Sequence, residues 1–240
     1  MDPNRPSWAT AWGDAIRSLI DPDGKDLLSP RNGAVKPLFA KQPQLADLAK
    51  AFAVSLLDET EPAGAAQQIL DQIRLLFPVP DGAGGHRPLP ASKFPTATYK
   101  CLLEFVSAKV LWQSGETWML PGANKEGSEL KPDYGVAGTA EVADHVVAQL
   151  GDTPEALGTR IGSDVTAKLA KYQTQAVRVI VQVTESPAYA YLRGAGREDW
   201  RKLVGTALAG YQPEVLKPLS MVVIIAGGEA HQFTRDQLEI

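Results

Sequence analysis

The sequence predicts an α/β fold, with a small mixed sheet flanked by helices and preceded by an α-helical N-terminal region. Two apolar runs rich in β-branched residues carry this prediction, at residues 177–184 and 221–226. Such runs are typical of strands buried on both faces. A helical pattern lies between them, so we expect the two strands to form a βαβ unit. The first run is expected to be the central strand.

The composition is that of an ordinary globular chain. The 240 residues are 44% hydrophobic and 22% charged, which is enough apolar material for a substantial core. The net charge of -4 argues against a protein that coats nucleic acid with its whole surface, although it leaves room for a local basic face. The single cysteine, Cys101, excludes an intramolecular disulfide and a multi-cysteine zinc site, and we interpret it as a small core residue.

The N-terminus lacks the apolar region of a signal peptide. No run approaches the roughly 20 apolar residues that span a bilayer. We therefore expect no membrane partner and a reducing compartment, the cytoplasm.

Three segments are expected along the chain. Residues 1–77 are predicted to form an α-helical N-terminal region, which begins with an amphipathic helix capped by Ser7 and packed through Trp8 and Trp12. Residues 78–95 hold five prolines and three glycines, so we interpret them as a loop. Residues 96–240 are predicted to be the α/β domain.

Within the α/β domain, the pattern predicts a leading helix at 96–112 and short strands at 115–120 and 130–136. A helix is predicted at 140–150, capped by Thr139, and another begins at Thr153 and Pro154. After the central strand, a helix is expected at 197–211. The tail from 229 to 240 is predicted to be a last strand or a short helix.

Several residues within these elements could take part in metal binding or catalysis. Glu104 lies in the leading helix, and Pro132 and Asp133 lie at a short strand. The central strand ends in Gln182-Val-Thr-Glu185, and Lys202 lies in the helix that follows. Together these features resemble the restriction-endonuclease-like fold of the PD-(D/E)XK nuclease superfamily, over roughly the last 140 residues.

The resemblance implies a nucleic-acid-binding domain, as a divergent or inactive metal-dependent nuclease. In that family, carboxylates on adjacent strand ends hold Mg²⁺, which activates water and stabilises the leaving oxygen of a phosphodiester. Asp133 would match the metal-holding aspartate, with Glu185 and Glu104 as further metal ligands and Lys202 as a migrated lysine. Asp133, Glu185 and Lys202 would be the catalytic residues.

The sequence departs from the family pattern in three ways. Gln182 occupies the position of the second acid, and Thr184 occupies the position of the lysine. Glu185 would point to the opposite face from Gln182 unless a bulge turned it inward. About 48 residues separate Asp133 from Gln182, where the family has a tight hairpin, so an insertion must be assumed.

The charge distribution gives independent support for an anionic partner such as DNA or RNA. Residues 160–217 contain nine basic residues against five acidic ones. Tyr189, Tyr191 and Arg193 adjoin the end of the central strand, where ligands tend to bind in α/β folds. A solvated helix face with a core tyrosine explains the same residues.

Two other hypotheses stay open. Glu141 and His145 are four residues apart on a predicted helix, with Asp144 beside them, so their side chains could bind a metal ion from one face of the helix. An exposed pair of side chains without a metal is the favoured interpretation. The function alternative to a nuclease is a non-enzymatic protein-interaction module, such as an adaptor, an immunity-type or a phage-related protein. That hypothesis predicts a large exposed apolar patch. A delivered toxin domain with the nuclease fold would share the features of the nuclease hypothesis.

Overall fold

A computed structural model describes much of the chain, with the remaining residues outside the description. The described residues are 7–18, 43–75, 79–80, 86–87, 96–115, 118–119, 134–136, 142–148, 153–172, 176–183, 192, 194–226 and 228–240. For some of these, including the strand residues 134–136 and 142–148, only the backbone is described. The chain divides into two compact units, Met1–Leu120 and Pro121–Ile240.

The first unit is mainly helical, as expected for the N-terminal region. Its described elements are α1 (Trp8–Ser18), α2 (Pro43–Leu57), α3 (Ala63–Leu75), β1 (Val79–Pro80), β2 (His86–Arg87), α4 (Thr96–Gln113) and β3 (Trp118–Met119). Strands β1 and β2 form a short antiparallel pair inside the segment that we predicted to be a loop.

The predicted tryptophan stripe of α1 is confirmed as a packing element. Trp8 and Trp12 are buried and stack with their ring centroids 5.3 Å apart. The indole N–H of Trp8 donates to the carbonyl oxygen of Leu56 at the end of α2, at 2.6 Å. At the start of α1, the hydroxyl of Ser7 accepts a hydrogen bond from the Thr10 N–H, in agreement with the predicted cap.

Helix α4 belongs to the first unit, whereas the sequence analysis assigned residues 96–112 to the α/β domain. It packs against α1, α2 and α3. Nearly all its described positions from Leu102 to Leu111 are buried. A helix that is buried on nearly every side has no single apolar face to indicate which neighbour it packs against. The division between the units therefore falls at residue 120 instead of within 78–95.

The second unit is an α/β domain. Its elements are β4 (Tyr134–Val136), β5 (Val142–Ala148), α5 (Pro154–Leu169), β6 (Val177–Val183), α6 (Arg197–Ala209), α7 (Pro213–Leu216), β7 (Leu219–Ala226), β8 (Glu229–Thr234) and α8 (Arg235–Leu238). The tail thus forms a strand followed by a short helix. Within the described ranges, none of the helices has the length and hydropathy needed to cross a bilayer.

The second unit contributes five strands to a mixed sheet, in the order β4-β5-β6-β7-β8. Strands β5, β6 and β7 are parallel, while β4 and β8 run antiparallel to their neighbours. Helix α5 connects β5 to β6, and α6 lies between β6 and β7, so two βαβ units follow each other. The predicted α/β class, mixed sheet and interior position of the 177–184 strand are confirmed.

The prediction of a helix at 140–150 is wrong, because this segment contains strand β5. Its residues pair with β4 on one side and with β6 on the other. The apolar positions of this segment fit both a helical and an extended period. The three valines, Val142, Val146 and Val147, favour a strand once neighbouring strands can pack against them.

Both faces of the inner strands are buried. One face of β6 and β7 packs against α5 and α6 through a continuous core that includes Val179, Val181 and Ile224. On the opposite face, Ile180 and Val223 are fully buried as well. Burial on both sides explains why these strands are continuous apolar runs in the sequence.

Helices α5 and α6 approach closely because two glycines face the contact. A Cβ atom at Gly162 would lie 2.8 Å from the carbonyl oxygen of Ala207 and 3.2 Å from the Tyr211 ring. A Cβ at Gly158 would lie 3.0 Å from Leu203 Cδ1. Only residues without side chains allow this spacing between the two crossover helices.

Candidate functional site

The β4–β5 hairpin changes the expected geometry of the predicted nuclease site. The sequence pattern required an insertion between the Pro-Asp strand and the strand that should carry the second acid. In the structure, β5 begins at Val142, soon after β4 ends at Val136, and the two pair antiparallel. The strand that pairs with β4 is therefore β5 and not the central strand β6.

Asp133 and Glu185 lie outside the described residues. The described residue that follows Asp133 is Tyr134, in β4, and the last described residue before Glu185 is Val183, in β6. These two strands are not neighbours, because β5 lies between them in the sheet. The binding of one metal ion by Asp133 and Glu185 therefore stays a prediction.

The register of the hairpin draws attention to Asp144, which the nuclease hypothesis did not include. Tyr134 pairs with Ala143, so the residues adjoining this pair in sequence are Asp133 and Asp144. The prediction of a helix for this segment gave no reason to consider Asp144 together with Asp133. The β-branched content of the segment was the signal that could have identified the strand.

The other predicted residues are described. Glu104 is half-buried on α4, in the first unit, and interacts with other residues of the chain. Lys202 lies on α6 with 66% of its side chain exposed, and its Nζ is 4.0 Å from a carboxylate oxygen of Glu198. Gln182 is buried in β6, where it also interacts within the chain.

Lys202 lines a groove of about 510 Å³ between α5 and α6. This volume lies in the range of small-molecule sites. Apolar groups form much of the wall, including Leu192 and Leu203, and the polar groups are Glu155, Thr159, Asp199, Lys202, Thr206 and Tyr211.

The charges of the groove do not favour a phosphate. The carboxylate of Asp199 accepts a hydrogen bond from the Gly196 N–H at 2.9 Å, which closes the first turn of α6. At the start of α5, hydrogen bonds from its own backbone and from the Thr153 hydroxyl lower the pKa of Glu155. Two carboxylates thus oppose one ammonium group among the lining residues.

Two of the nine basic residues counted above hold the C-terminal segment in place. Arg201 donates to both carboxylate oxygens of Glu198, to Glu239 at 3.0 Å and to the carbonyl oxygen of Gln237 at 3.0 Å. The hydrogen bonds to Glu198 raise the pKa of Arg201. Arg197 contacts the same segment. The basic count therefore overstates the positive charge that this unit offers to an anionic partner.

Among the residues that the structure describes, no group of three or more histidine, cysteine, aspartate or glutamate side chains is arranged to hold a metal ion. The predicted ligands Asp133 and Glu185 fall outside that search. Glu141 is likewise outside the described residues, and His145 lies on strand β5, so the helical face proposed for this pair does not exist.

Comparison of the chain with protein-family models, with curated proteins and with solved structures finds no match. The likeness to the PD-(D/E)XK superfamily therefore rests on the residues and on the order of the elements.

Proposed function

We propose that the second unit is a nucleic-acid-binding domain of restriction-endonuclease-like fold, a divergent or inactive metal-dependent nuclease. The observation that carries the proposal is the β4–β5 hairpin, which follows Asp133 directly and leads through α5 into the interior strand β6. The resemblance requires a tight hairpin after the Pro-Asp element, and this hairpin supplies it.

The proposed centre contains Asp133 and a second carboxylate. Asp144 is the residue whose position in the hairpin register best suits this role, and Glu185 is the alternative from the sequence. Paired carboxylate oxygens are ligands that Mg²⁺ prefers. Bound there, Mg²⁺ would polarise a phosphodiester and activate water. Lys202 keeps its proposed role as an assisting lysine, and the role of Glu104 as a further metal ligand stays a prediction from the sequence.

The proposed partner of this unit is DNA or RNA, and the proposed location is the cytoplasm, in keeping with the single Cys101. The alternative function is a protein-interaction module, and the described residues do not form the large exposed apolar patch that this hypothesis predicts. Their exposed large apolar side chains are Val54 and Val215, which belong to different units. They form no extended patch of the kind that marks a docking site.

Binding and cleavage of labelled DNA and RNA by the full chain test the proposal. The assay is run at low and moderate salt, with Mg²⁺ or with EDTA. We expect binding that weakens as salt rises, because basic side chains that contact phosphates release counterions. Cleavage in Mg²⁺ but not in EDTA would support an active nuclease. Absence of both binding at low salt and cleavage would contradict the proposal.

A further inference from the structure

Strand β8 is the last strand of the sheet in the part of the chain that the structure describes. It pairs with β7 on one side, with Val223 opposite Gln232 and Met221 opposite Thr234. The backbone groups on the other side of such an edge strand are available to pair with a strand of another molecule.

Side chains of the same chain form hydrogen bonds with two of these outer backbone groups. The guanidinium of Arg197 donates to the carbonyl oxygen of Gln232 at 2.8 Å. The amide oxygen of Gln237 accepts from the Thr234 N–H at 3.1 Å. Since residues two apart in a strand direct their backbone groups to the same side, Gln232 and Thr234 share the outer edge, and Ala230 shares it with them.

Arg197 is fixed in this position by further contacts. Its guanidinium carbon lies 4.9 Å from the centre of the Phe233 ring, and a second hydrogen bond joins Nη2 to Gln237 Oε1 at 3.2 Å. Arg201 donates to the carbonyl oxygen of Gln237 and so holds the same residue from α6. Arg197, Gln237 and Arg201 are called the edge clasp below.

We propose that the edge clasp prevents β8 from pairing with β8 of a second copy of this chain. Two copies of an outer edge can pair antiparallel about a two-fold axis, because each copy then offers the donors and acceptors that the other needs. In the folded chain, the edge clasp forms hydrogen bonds with the Gln232 carbonyl oxygen and the Thr234 N–H. These two groups therefore cannot join a continuous ladder of hydrogen bonds between two β8 strands. Among the described residues, the stretch around Ala230 has no such side-chain contact on its outer edge, and it is too short to hold two molecules together.

The Arg197→Met variant of the full chain tests this proposal. Methionine keeps an unbranched side chain over Phe233 but removes the donors. We expect the variant to sediment as a larger, concentration-dependent species than the wild type in analytical ultracentrifugation. The matched control is Arg160→Met, which removes an exposed arginine of α5 whose partner is Asp164. This control should sediment like the wild type.

A second substitution identifies the surface involved. Proline at Ala230 removes an outer N–H, which an edge strand tolerates, so Ala230→Pro in the Arg197→Met background should restore the wild-type sedimentation. Association that survives Ala230→Pro would overturn the proposal, since it would use another surface. Sedimentation of Arg197→Met like the wild type, with its circular dichroism retained, would also overturn it. If Arg197→Met loses that spectrum, Gln237→Ala, which opens the Thr234 N–H, is measured by the same criteria.

Discussion

Lys109 donates a hydrogen bond of 2.6 Å to the carbonyl oxygen of Ser55, near the end of α2. A second bond of 2.8 Å reaches the carbonyl oxygen of Asp58. The lysine is fully buried, and this burial lowers its pKa. The last carbonyl groups of a helix have no partner within it, so an ammonium group from α4 supplies what α2 lacks.

The first prediction concerns this lysine. Lys109→Met should lower the free energy of unfolding of the first unit by about 2 kcal/mol, because buried carbonyl groups lose a charged donor. Urea denaturation followed by tryptophan fluorescence measures the change, since Trp8 and Trp12 belong to the same unit. Lys50→Met, at an exposed position of α2, is the control and should have little effect. Equal stabilities of the two variants would contradict the proposed role.

The second prediction concerns the contact between α5 and α6. Gly162→Ala should cost roughly 1–3 kcal/mol, because a Cβ 2.8 Å from the backbone of Ala207 forces the helices apart. The control is Gly210→Ala, since a Cβ there meets no atom within 4 Å and its φ is -79°. Thermal denaturation compares the two. A Gly162→Ala protein as stable as Gly210→Ala would show that the helices are less tightly packed than described.

The third prediction is a pH dependence from His231. This residue stacks on Trp200, with the ring centroids 6.3 Å apart, and its burial lowers its pKa below the ordinary value of 6.5. Glu229 opposes this shift and Arg197 adds to it. Because the unfolded chain binds a proton more readily, His231 should contribute stability above pH 6.5 and lose it as pH falls through its folded pKa.

His231→Phe keeps an aromatic ring against Trp200 and removes the titrating group. The free energy of unfolding of this variant should therefore change less than that of the wild type between neutral pH and pH 5. Both proteins contain the same carboxylates, so the contribution of these groups to the pH dependence cancels when the two curves are compared over the same range. Parallel curves would mean that the histidine is equally easy to protonate in the folded and unfolded chain.

The fourth prediction separates two neighbouring basic residues. Arg201→Ala should increase hydrogen exchange in β8 and α8, because it removes the contacts to Gln237 and Glu239. Lys202→Ala should leave this exchange unchanged, since its described ionic contact is the 4.0 Å approach to Glu198. If Lys202 assists catalysis, only its substitution should reduce nucleic-acid cleavage without altering exchange. Equal exchange in the two variants would remove the structural role assigned to Arg201.

Local patterns in the sequence predicted most of the second unit. The apolar runs became β6 and β7, and the cap at Thr153 is confirmed, because its hydroxyl accepts from the Ala156 N–H at 3.2 Å. The buried stripe of α6 was also predictable, since Trp200, Val204 and Leu208 recur at helical spacing. In these elements, the local preference of the chain and its tertiary neighbours agree.

Strand β5 and the placement of α4 could not be predicted in the same way. The β-branched residues of β5 are only a weak local signal, because strand preference depends on neighbouring strands, and the placement of α4 depends on which helices surround it. The wrong prediction for β5 also affected which residues were considered for the candidate site. The helix predicted at 140–150 gave no reason to consider Asp144 with the Pro-Asp element. Glu185 was predicted because the resemblance places the second acid near the end of the central strand.

The most direct test of the account is Mg²⁺-dependent cleavage of labelled DNA and RNA by the wild type and by Asp144→Asn. Asp133→Asn and Glu185→Gln are measured beside them, and Glu214→Gln, an exposed carboxylate of α7, is the control. The account predicts that the wild type and the control bind nucleic acid, and that any cleavage they show in Mg²⁺ is lost in Asp133→Asn and in Asp144→Asn. A wild type that neither binds nor cleaves in Mg²⁺, or an Asp144→Asn protein as active as the wild type, would contradict it.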